Sequence, residues 1–400
     1  MTSSTTVYAR RIPRPLPAGR VAVFALLLSL FGCAGPAIDR QVIDQLPPLQ
    51  HGGTQLTVAD VAGRVPRADL LAVDEPMRQF VERYTAGQDS SRLQMLSLHQ
   101  AVRGAGGLDM EYDPFADGTA REVFQRRVAN CLSYANLFIA LAREAGLEAN
   151  YQWVEVRPQW SRASERVQLG LHVNVVVQLR DGKRYMVDID PLPSSDISGS
   201  RELTDAQGEA LYYNNIAMAA LAGGETETAW LYGVRALQLS PEDAHLWANL
   251  GAIYRSSGQH REAEQSYLQA LELDFTEYSA MTNLAVLYGL EGRMEERDYW
   301  LERVETHRRS NPYYHAWLGD EVAASGDWAA ALVHYEQAVA LAPGDSNLLF
   351  SRGVVHYQLK DYEAAARDME EAINLATLHS DIANYQQQLE AVREAQLAGI

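Results

Sequence analysis

Cysteine is almost absent from this chain of 400 residues, which has only Cys33 and Cys131. A fold held by several disulfides is therefore excluded, and so is a cysteine-rich metal site. The sequence also lacks a Cys/His cluster, an EF-hand-type loop and a glycine-rich phosphate loop. We therefore expect neither a metal nor a cofactor.

Positive charge and long apolar runs are also scarce. The chain has 34 basic residues against 52 acidic ones, a formal net charge of −18. A surface of this sign repels phosphates, which argues against a nucleic-acid partner. No apolar run reaches the roughly 20 residues that span a bilayer. Apolar residues nevertheless make up 47% of the chain, and the length is enough for two or three domains.

Residues 1–32 have the pattern of a secretory signal peptide, with four arginines before a short apolar run. Leu30-Phe31-Gly32-Cys33 resembles a lipobox, which implies that Cys33 is lipid-modified and begins the mature protein. An ordinary signal peptide with an incidental cysteine is the alternative. By resemblance to Gram-negative lipoproteins, Ala34 implies an outer-membrane anchor that faces the periplasm. Removing residues 1–32 takes the formal net charge to −22.

Cys131 is expected to stand at the start of a helix. From Cys131 to Ala145 apolar residues recur at helical spacing, and Gly146 is a natural C-terminal cap. The unpaired N–H groups and the dipole at a helix N-terminus favour a thiolate. If Cys33 carries lipid, Cys131 has no disulfide partner in an oxidising compartment, which favours a functional thiol over a buried structural one.

Strand patterns follow this helix at 150–156, 169–179 and 184–189, so that His172 and Asp188 come after Cys131 on successive strands. The pieces N-C-L-S-Y-A (130–135), L-H-V-N-V (171–175) and G-K-R-Y-M-V-D (182–188) resemble the transglutaminase-like superfamily. That resemblance implies an α+β, papain-like core. It also implies a triad in which Cys131 is the nucleophile, His172 its proton partner and Asp188 the group that orients the imidazole.

Several residues of this site have alternatives. Asp190 competes with Asp188 as the acid of the triad. In an antiparallel pair the numbers of opposite residues have a constant sum, and a two-residue turn at 181–182 makes that sum 363. A pairing of His172 with Asp188 needs a sum of 360, hence a different loop or a bulge. Gln125 is a candidate second oxyanion donor beside the Cys131 N–H, or else an exposed surface residue. The isolated His99 is expected to be solvated or capping.

The second half of the chain repeats every 34 residues. Trp247, Leu250, Gly251 and Tyr254 open the clearest unit, and the same phase holds over five units. This pattern resembles the tetratricopeptide repeat, which implies an all-α solenoid of stacked helix pairs. We assign about five repeats to 208–380 and a capping helix to 381–400. Arg297 stands where a small residue should pack, so we expect a distortion there.

Asn215, Asn249 and Asn283 occupy the same position in successive repeats, on the helix nearest the concave groove. One interpretation is a set of amides that binds an extended peptide or protein partner. The other is that Asn is simply a frequent consensus residue at this position.

The remaining boundaries follow from composition. Residues 33–54 are interpreted as a tether, 55–195 as the cysteine domain with N-terminal helices, and 196–207 as a linker. The leading hypothesis is an envelope-anchored thiol enzyme, a cysteine peptidase or acyl transferase, whose repeats recruit a substrate or partner. The alternative is a non-catalytic adaptor for envelope protein complexes. The spacing of Cys131 and His172 in the fold distinguishes the two.

Overall fold

The computed structural model describes residues 41–156, 171–180, 182–192, 197–376 and 379–398. The expected signal peptide, Cys33 and the first part of the expected tether lie outside these residues. Among the described helices, none is both long and apolar enough to cross a bilayer.

The first half of the described chain is a mixed α/β unit built around one buried helix. Its elements are α1 Gln41–Asp44, β1 Leu49–His51, β2 Thr54–Leu56, α2 Val58–Arg64, α3 Glu75–Thr85, α4 Ser91–Arg103, β3 Glu111–Tyr112, α5 Ala120–Arg126, β4 Val128–Ala129, α6 Cys131–Glu144, β5 Glu148–Val156, β6 Leu171–Gln178, β7 Arg184–Val187 and β8 Ile197–Leu203. Helix α6 is apolar around nearly its whole circumference, and every residue from Leu132 to Ala142 is buried. It packs on an antiparallel sheet of order β7-β6-β5-β8, with Tyr151, Val175 and Val187 among the contacting residues. The expected α+β core is confirmed.

Two boundary predictions are corrected by the structure. The expected linker 196–207 contains β8, which pairs with β5 along its length, from Tyr151 opposite Leu203 to Val156 opposite Ile197. The Ser- and Gly-rich composition suggested a loop, but the free edge of β5 provides partners for its backbone groups. Part of the expected tether is folded as well, because α1 and the β1–β2 hairpin bury Ile43 and Leu49.

The second half of the described chain is a solenoid of helix pairs. Its helices are α7 Asp205–Ala222, α8 Thr226–Leu239, α9 Ala244–Ser256, α10 His260–Leu273, α11 Tyr278–Leu290, α12 Met294–Ser310, α13 Pro312–Ala324, α14 Trp328–Leu341, α15 Ser346–Gln358, α16 Tyr362–Leu375 and α17 His379–Ala398. The helices α8, α10, α12, α14 and α16 begin 34 residues apart. A left-handed residue precedes each of them at the same spacing, namely Gly224, Gly258, Gly292, Gly326 and Lys360.

The small residues of the repeat are required by close helix packing. A side chain at Gly251 would place its Cβ 2.5 Å from the buried ring of Tyr267. Arg297, by contrast, is partly exposed and binds Asp298, and of the residues of α12 Val304 alone is buried. The expected irregularity of this repeat is therefore a long, mostly exposed second helix.

The array curls back towards the sheet. A depression of about 430 Å³ has one wall formed by Gln152, Val176 and Met186, on the face of the sheet that does not carry α6. Its other wall includes Asp345 and Asn347, at the start of α15. The start of α15 therefore faces the outer side of the sheet across this depression.

Candidate active site

Cys131 is the first residue of α6, as the sequence predicted. The helix begins there because Asn130 and Ser133 form a reciprocal capping box. The Ser133 N–H donates to Asn130 Oδ1 at 2.8 Å, and the Asn130 N–H donates to Ser133 Oγ at 2.9 Å. Cys131 itself is partly exposed. Its thiol therefore lies beside the free N–H groups of a helix N-terminus, where negative charge is favoured.

The segment 116–118 lies across this helix start and is held by polar side chains of α6. Asn130 Nδ2 donates to Asp117 Oδ1 at 2.7 Å, and Ser133 Oγ donates to the carbonyl of Ala116 at 2.6 Å. One turn further on, Asn136 Nδ2 donates to the carbonyl of Gly118 at 2.8 Å. These contacts give the otherwise apolar helix a rigid polar end.

His172 lies on β6, and its Nε2 hydrogen-bonds with Asp188 Oδ2 just after the end of β7. In the β6–β7 pair Val175 lies opposite Val187, so the numbers of opposite residues sum to 362. This register is neither the 363 of a two-residue turn nor the 360 of a direct pairing of His172 with Asp188. The Leu179 N–H donates to the carbonyl of Lys183, so the connection has three residues, not two. The β6–β7 pairing ends at Val187, so Asp188 lies just beyond the strand and reaches the imidazole from there.

The electrostatics favour a charged imidazole. Burial by itself lowers the pKa of His172, but hydrogen bonds to Asp188 and to Cys131, and the charges of both, outweigh it and raise the pKa to about 10. Since Nε2 is used by Asp188, Nδ1 is the nitrogen left for the thiol. The side chains are 13% exposed for His172 and 4% for Asp188, so solvent weakens this pair little.

The two remaining candidates of the sequence are placed differently. Asp190 is exposed, and its N–H donates to Asp188 Oδ1 at 3.2 Å, so it helps to hold the acid that contacts the imidazole. Gln125 is exposed and lines a depression of about 540 Å³ together with Tyr212 and Tyr213. Cys131 is not among the residues that line this depression, and the role of Gln125 as an oxyanion donor stays a prediction.

Tyr112 is a neighbour of the site that the sequence reasoning missed. Strand β3 pairs in parallel with β4, which sets Tyr112 opposite Ala129, two residues before the thiol. Burial and the nearby charges of Cys131, Asp190 and Asp188 raise the pKa of Tyr112. Tyr112 is 47% exposed. The two-residue parallel pairing is too short to leave a sequence signal.

The prediction for His99 is wrong. Its ring is partly buried, with Nδ1 and the Tyr134 hydroxyl 3.0 Å apart and with Phe138 in an edge-to-face contact at 5.8 Å. Burial and the charge of Arg103 lower the pKa of His99 to about 4, although Asp188 opposes this. His99 is therefore neutral at pH 7 and packs behind the triad without competing for its proton.

The three asparagines of the repeats have different surroundings. Asn215 Nδ2 donates to Asp117 Oδ1 at 3.1 Å, in the cysteine domain. Asn249 Nδ2 donates to Asn214 Oδ1 at 2.8 Å, within the array. Asn283 is partly buried. Peptide binding by these amides stays a prediction.

The arrangement brings a thiol, an imidazole and a carboxylate together. A thiol paired with an imidazolium attacks carbonyl carbon readily, and the same imidazolium can protonate a leaving amine. Within the described residues, no group of three or more His, Cys, Asp or Glu side chains is arranged to hold a metal ion.

Comparison with known protein families separates the first half of the chain from the repeats. A model of the transglutaminase-like superfamily matches residues 78–191, and tetratricopeptide repeat models match 244–276 and 318–378. Anaphase-promoting complex subunit 3 of Schizosaccharomyces pombe is 23% identical over 137 residues, which are 34% of this chain and 21% of that protein. Photosystem I assembly protein Ycf3 of Rippkaea orientalis is 27% identical over 140 residues, 34% of this chain and 69% of that protein.

Solved structures give partial matches of low identity. The Pseudomonas aeruginosa pilF structure is 21% identical, covers 47% of this chain and 94% of its own, and has a TM-score of 0.25. This chain spans about a fifth of the anaphase-promoting complex subunit that it matches. The chain thus carries a transglutaminase-like domain over residues 78–191, followed by tetratricopeptide repeats between residues 244 and 378.

Proposed function

We propose that this protein is an envelope-anchored cysteine enzyme that acts on amide bonds of peptides or proteins, by hydrolysis or by acyl transfer. The observation that carries the proposal is the pairing of His172 with both Cys131 and Asp188. Opposed Cys131 and His172 side chains would have favoured the adaptor hypothesis. Cys131 is near enough to the imidazole to raise its pKa, and a buried carboxylate contacts the same ring, which is the arrangement that nucleophilic catalysis needs.

In the first half of the reaction the Cys131 sulfur attacks the amide carbon and forms a C–S bond. The negative charge that develops on the carbonyl oxygen is stabilised by free backbone N–H groups at the start of α6, that of Cys131 among them. His172 gives its proton to the nitrogen of the leaving amine as the C–N bond breaks. Asp188 keeps the imidazole oriented while His172 loses its proton and its charge.

In the second half a water molecule or an amine attacks the thioester carbon. The now neutral His172 accepts a proton from that nucleophile, and the C–S bond breaks to regenerate the thiolate. Water gives hydrolysis and an amine gives acyl transfer. Tyr112, next to the thiol and half exposed, is placed to contact the acyl substrate.

The other two parts of the proposal concern recruitment and location. We assign to the repeats the binding of a protein substrate or partner, because stacked helix pairs present an extended concave surface. A lipid on Cys33 would anchor the protein in the outer membrane, with the enzyme in the periplasm.

The pH dependence of thiol alkylation tests the enzyme proposal. In Cys33→Ser protein, Cys131 is the sole thiol, and its iodoacetamide rate is measured from pH 5 to pH 10. At pH 6 an ordinary cysteine of pKa about 8.5 is only about 0.3% thiolate. At pH 6 we expect Cys131 of the Cys33→Ser protein to react about 100 times faster than an ordinary cysteine. His172→Ala should lower the rate of Cys131 to that of an ordinary cysteine.

His260→Ala is the matched control, because His260 also pairs with a carboxylate, that of Glu291, but lies on α10 of the array. It should leave the alkylation profile unchanged. An ordinary profile in the parent protein, unaltered by His172→Ala, would contradict the enzyme proposal and favour the adaptor.

A further inference from the structure

The first helix of the array, α7, is tied to both ends of α6. At its start, Asp205 accepts two hydrogen bonds from Arg143 near the end of α6, at 2.7 and 2.9 Å. Ten residues later, Asn215 donates to Asp117, which lies against the start of α6. The helix that opens the repeats is therefore also a brace alongside the helix that carries the thiol.

Asp117 connects this brace to the cap of the thiol helix. Its Oδ1 accepts from Asn215 Nδ2 at 3.1 Å and from Asn130 Nδ2 at 2.7 Å. Asn130 is 4% exposed, so replacing its hydrogen bond to Asp117 by one to water costs free energy.

The orientation of the Asn130 amide decides whether it caps the helix. The oxygen must face the Ser133 N–H, and a flipped amide would set its NH₂ group against that donor. A carboxylate that accepts from Nδ2 enforces the capping orientation. The carboxylate is in turn held by Asn215, which also offsets part of its charge.

We propose that Asn215 is a positioning residue for the Cys131 thiol and acts through Asp117 and Asn130. The inference rests on the proposed function, because it concerns the same reactive thiol. It gives Asn215 a task that Asn283, at the same position of a later repeat, does not share. The first repeat thereby becomes part of the catalytic unit.

The test is the alkylation profile of full-length Cys33→Ser protein carrying Asn215→Ala, with Asn283→Ala as the matched control. A helix-terminus interaction of about 0.3–1 kcal/mol corresponds to a two- to fivefold effect, so we expect the Cys131 rate at pH 6 to fall by about that factor. At pH 9.5, where ordinary thiols ionise, the rates should converge. Hydrogen exchange of the Ser133 amide, which Asn130 caps, should become faster.

Two further variants separate the hydrogen bond from simple packing. Asn215→Asp keeps the shape of the side chain but sets a second carboxylate against Asp117, so it should slow alkylation at least as much as Asn215→Ala. A purely structural role predicts the opposite order. In an Asp117→Ala background, Asn215→Ala should have no additional effect on the rate.

The inference is overturned if Asn215→Ala and Asn283→Ala give the same alkylation profile and the same Ser133 exchange. His172→Ala is run in parallel. If it lowers the rate at pH 6 while Asn215→Ala does not, the enzyme proposal stands and the positioning role fails. If His172→Ala has no effect either, both fail together.

Discussion

The substitution Asp188→Asn keeps the shape of a buried side chain and removes its charge. In the native protein that charge helps to raise the pKa of His172 to about 10, against a burial effect that lowers it. Without it, we expect the pKa of the imidazole to fall to about its ordinary 6.5 or below. A hydrogen bond to a charged group is worth about 1.5–3 kcal/mol, so Asp188→Asn should lower the free energy of unfolding by about that amount at pH 6.

The loss should depend on pH in a defined direction. The folded-state pKa of His172 lies above its unfolded value, so the stabilisation is complete below about pH 6.5 and is lost as pH rises towards 10. The gap in unfolding free energy between wild type and Asp188→Asn should therefore shrink across that window. Urea denaturation at pH 6, 7.5 and 9.5 measures it. Asp190→Asn is the control, because it makes the same charge change on an exposed neighbour of Asp188.

Two results would refute this reasoning. A gap that stays constant from pH 6 to 9.5 would mean that His172 is not held in its charged form. An Asp190→Asn variant that loses as much stability as Asp188→Asn would mean that general acidity near the site, and not the contact with the imidazole, is responsible.

Two other predictions concern the array and the anchor. Lys360 holds a left-handed backbone at φ 65°, where the equivalent turns have glycine, so Lys360→Gly should raise the free energy of unfolding by about 0.5–1 kcal/mol in urea titrations. Gly326→Ala, at the equivalent turn one repeat earlier, should lower it by at least as much. In a bacterial host fed an alkyne fatty acid, Cys33→Ser should lose the label and Cys131→Ser should keep it; a label retained in Cys33→Ser would refute the anchor.

Local features of the chain were predictable from the sequence wherever a local physical rule governs them. Helix α6 follows from an apolar run at helical spacing that ends at the cap Gly146, and the structure begins that helix at Cys131. The 34-residue period follows from small residues that recur where helices touch, as at Gly251 against Tyr267. The order Cys131, His172, Asp188 was also predictable, because each stands on or directly after an element with a strong sequence pattern.

Other features failed because distant parts of the chain determine them. Ile197–Leu203 has the composition of a loop and becomes a strand only because β5 offers a free edge. The β6–β7 register depends on a three-residue connection that composition did not distinguish from a two-residue turn. The environment of His99 depends on Tyr134 and Phe138, which come from another helix.

The sequence by itself thus determined the two-part architecture and the position of the candidate thiol at the start of α6, since periodicity, capping and cysteine count act over short stretches. Only the tertiary structure decided which acid contacts His172, because the end of β7 sets Asp188 beside the imidazole and leaves Asp190 exposed. Only the structure joined the two parts, through Asn215 and Asp117, which lie 98 positions apart in the chain. A single hydrogen bond between such distant residues leaves no periodic signal, and its partners meet only after both domains have packed.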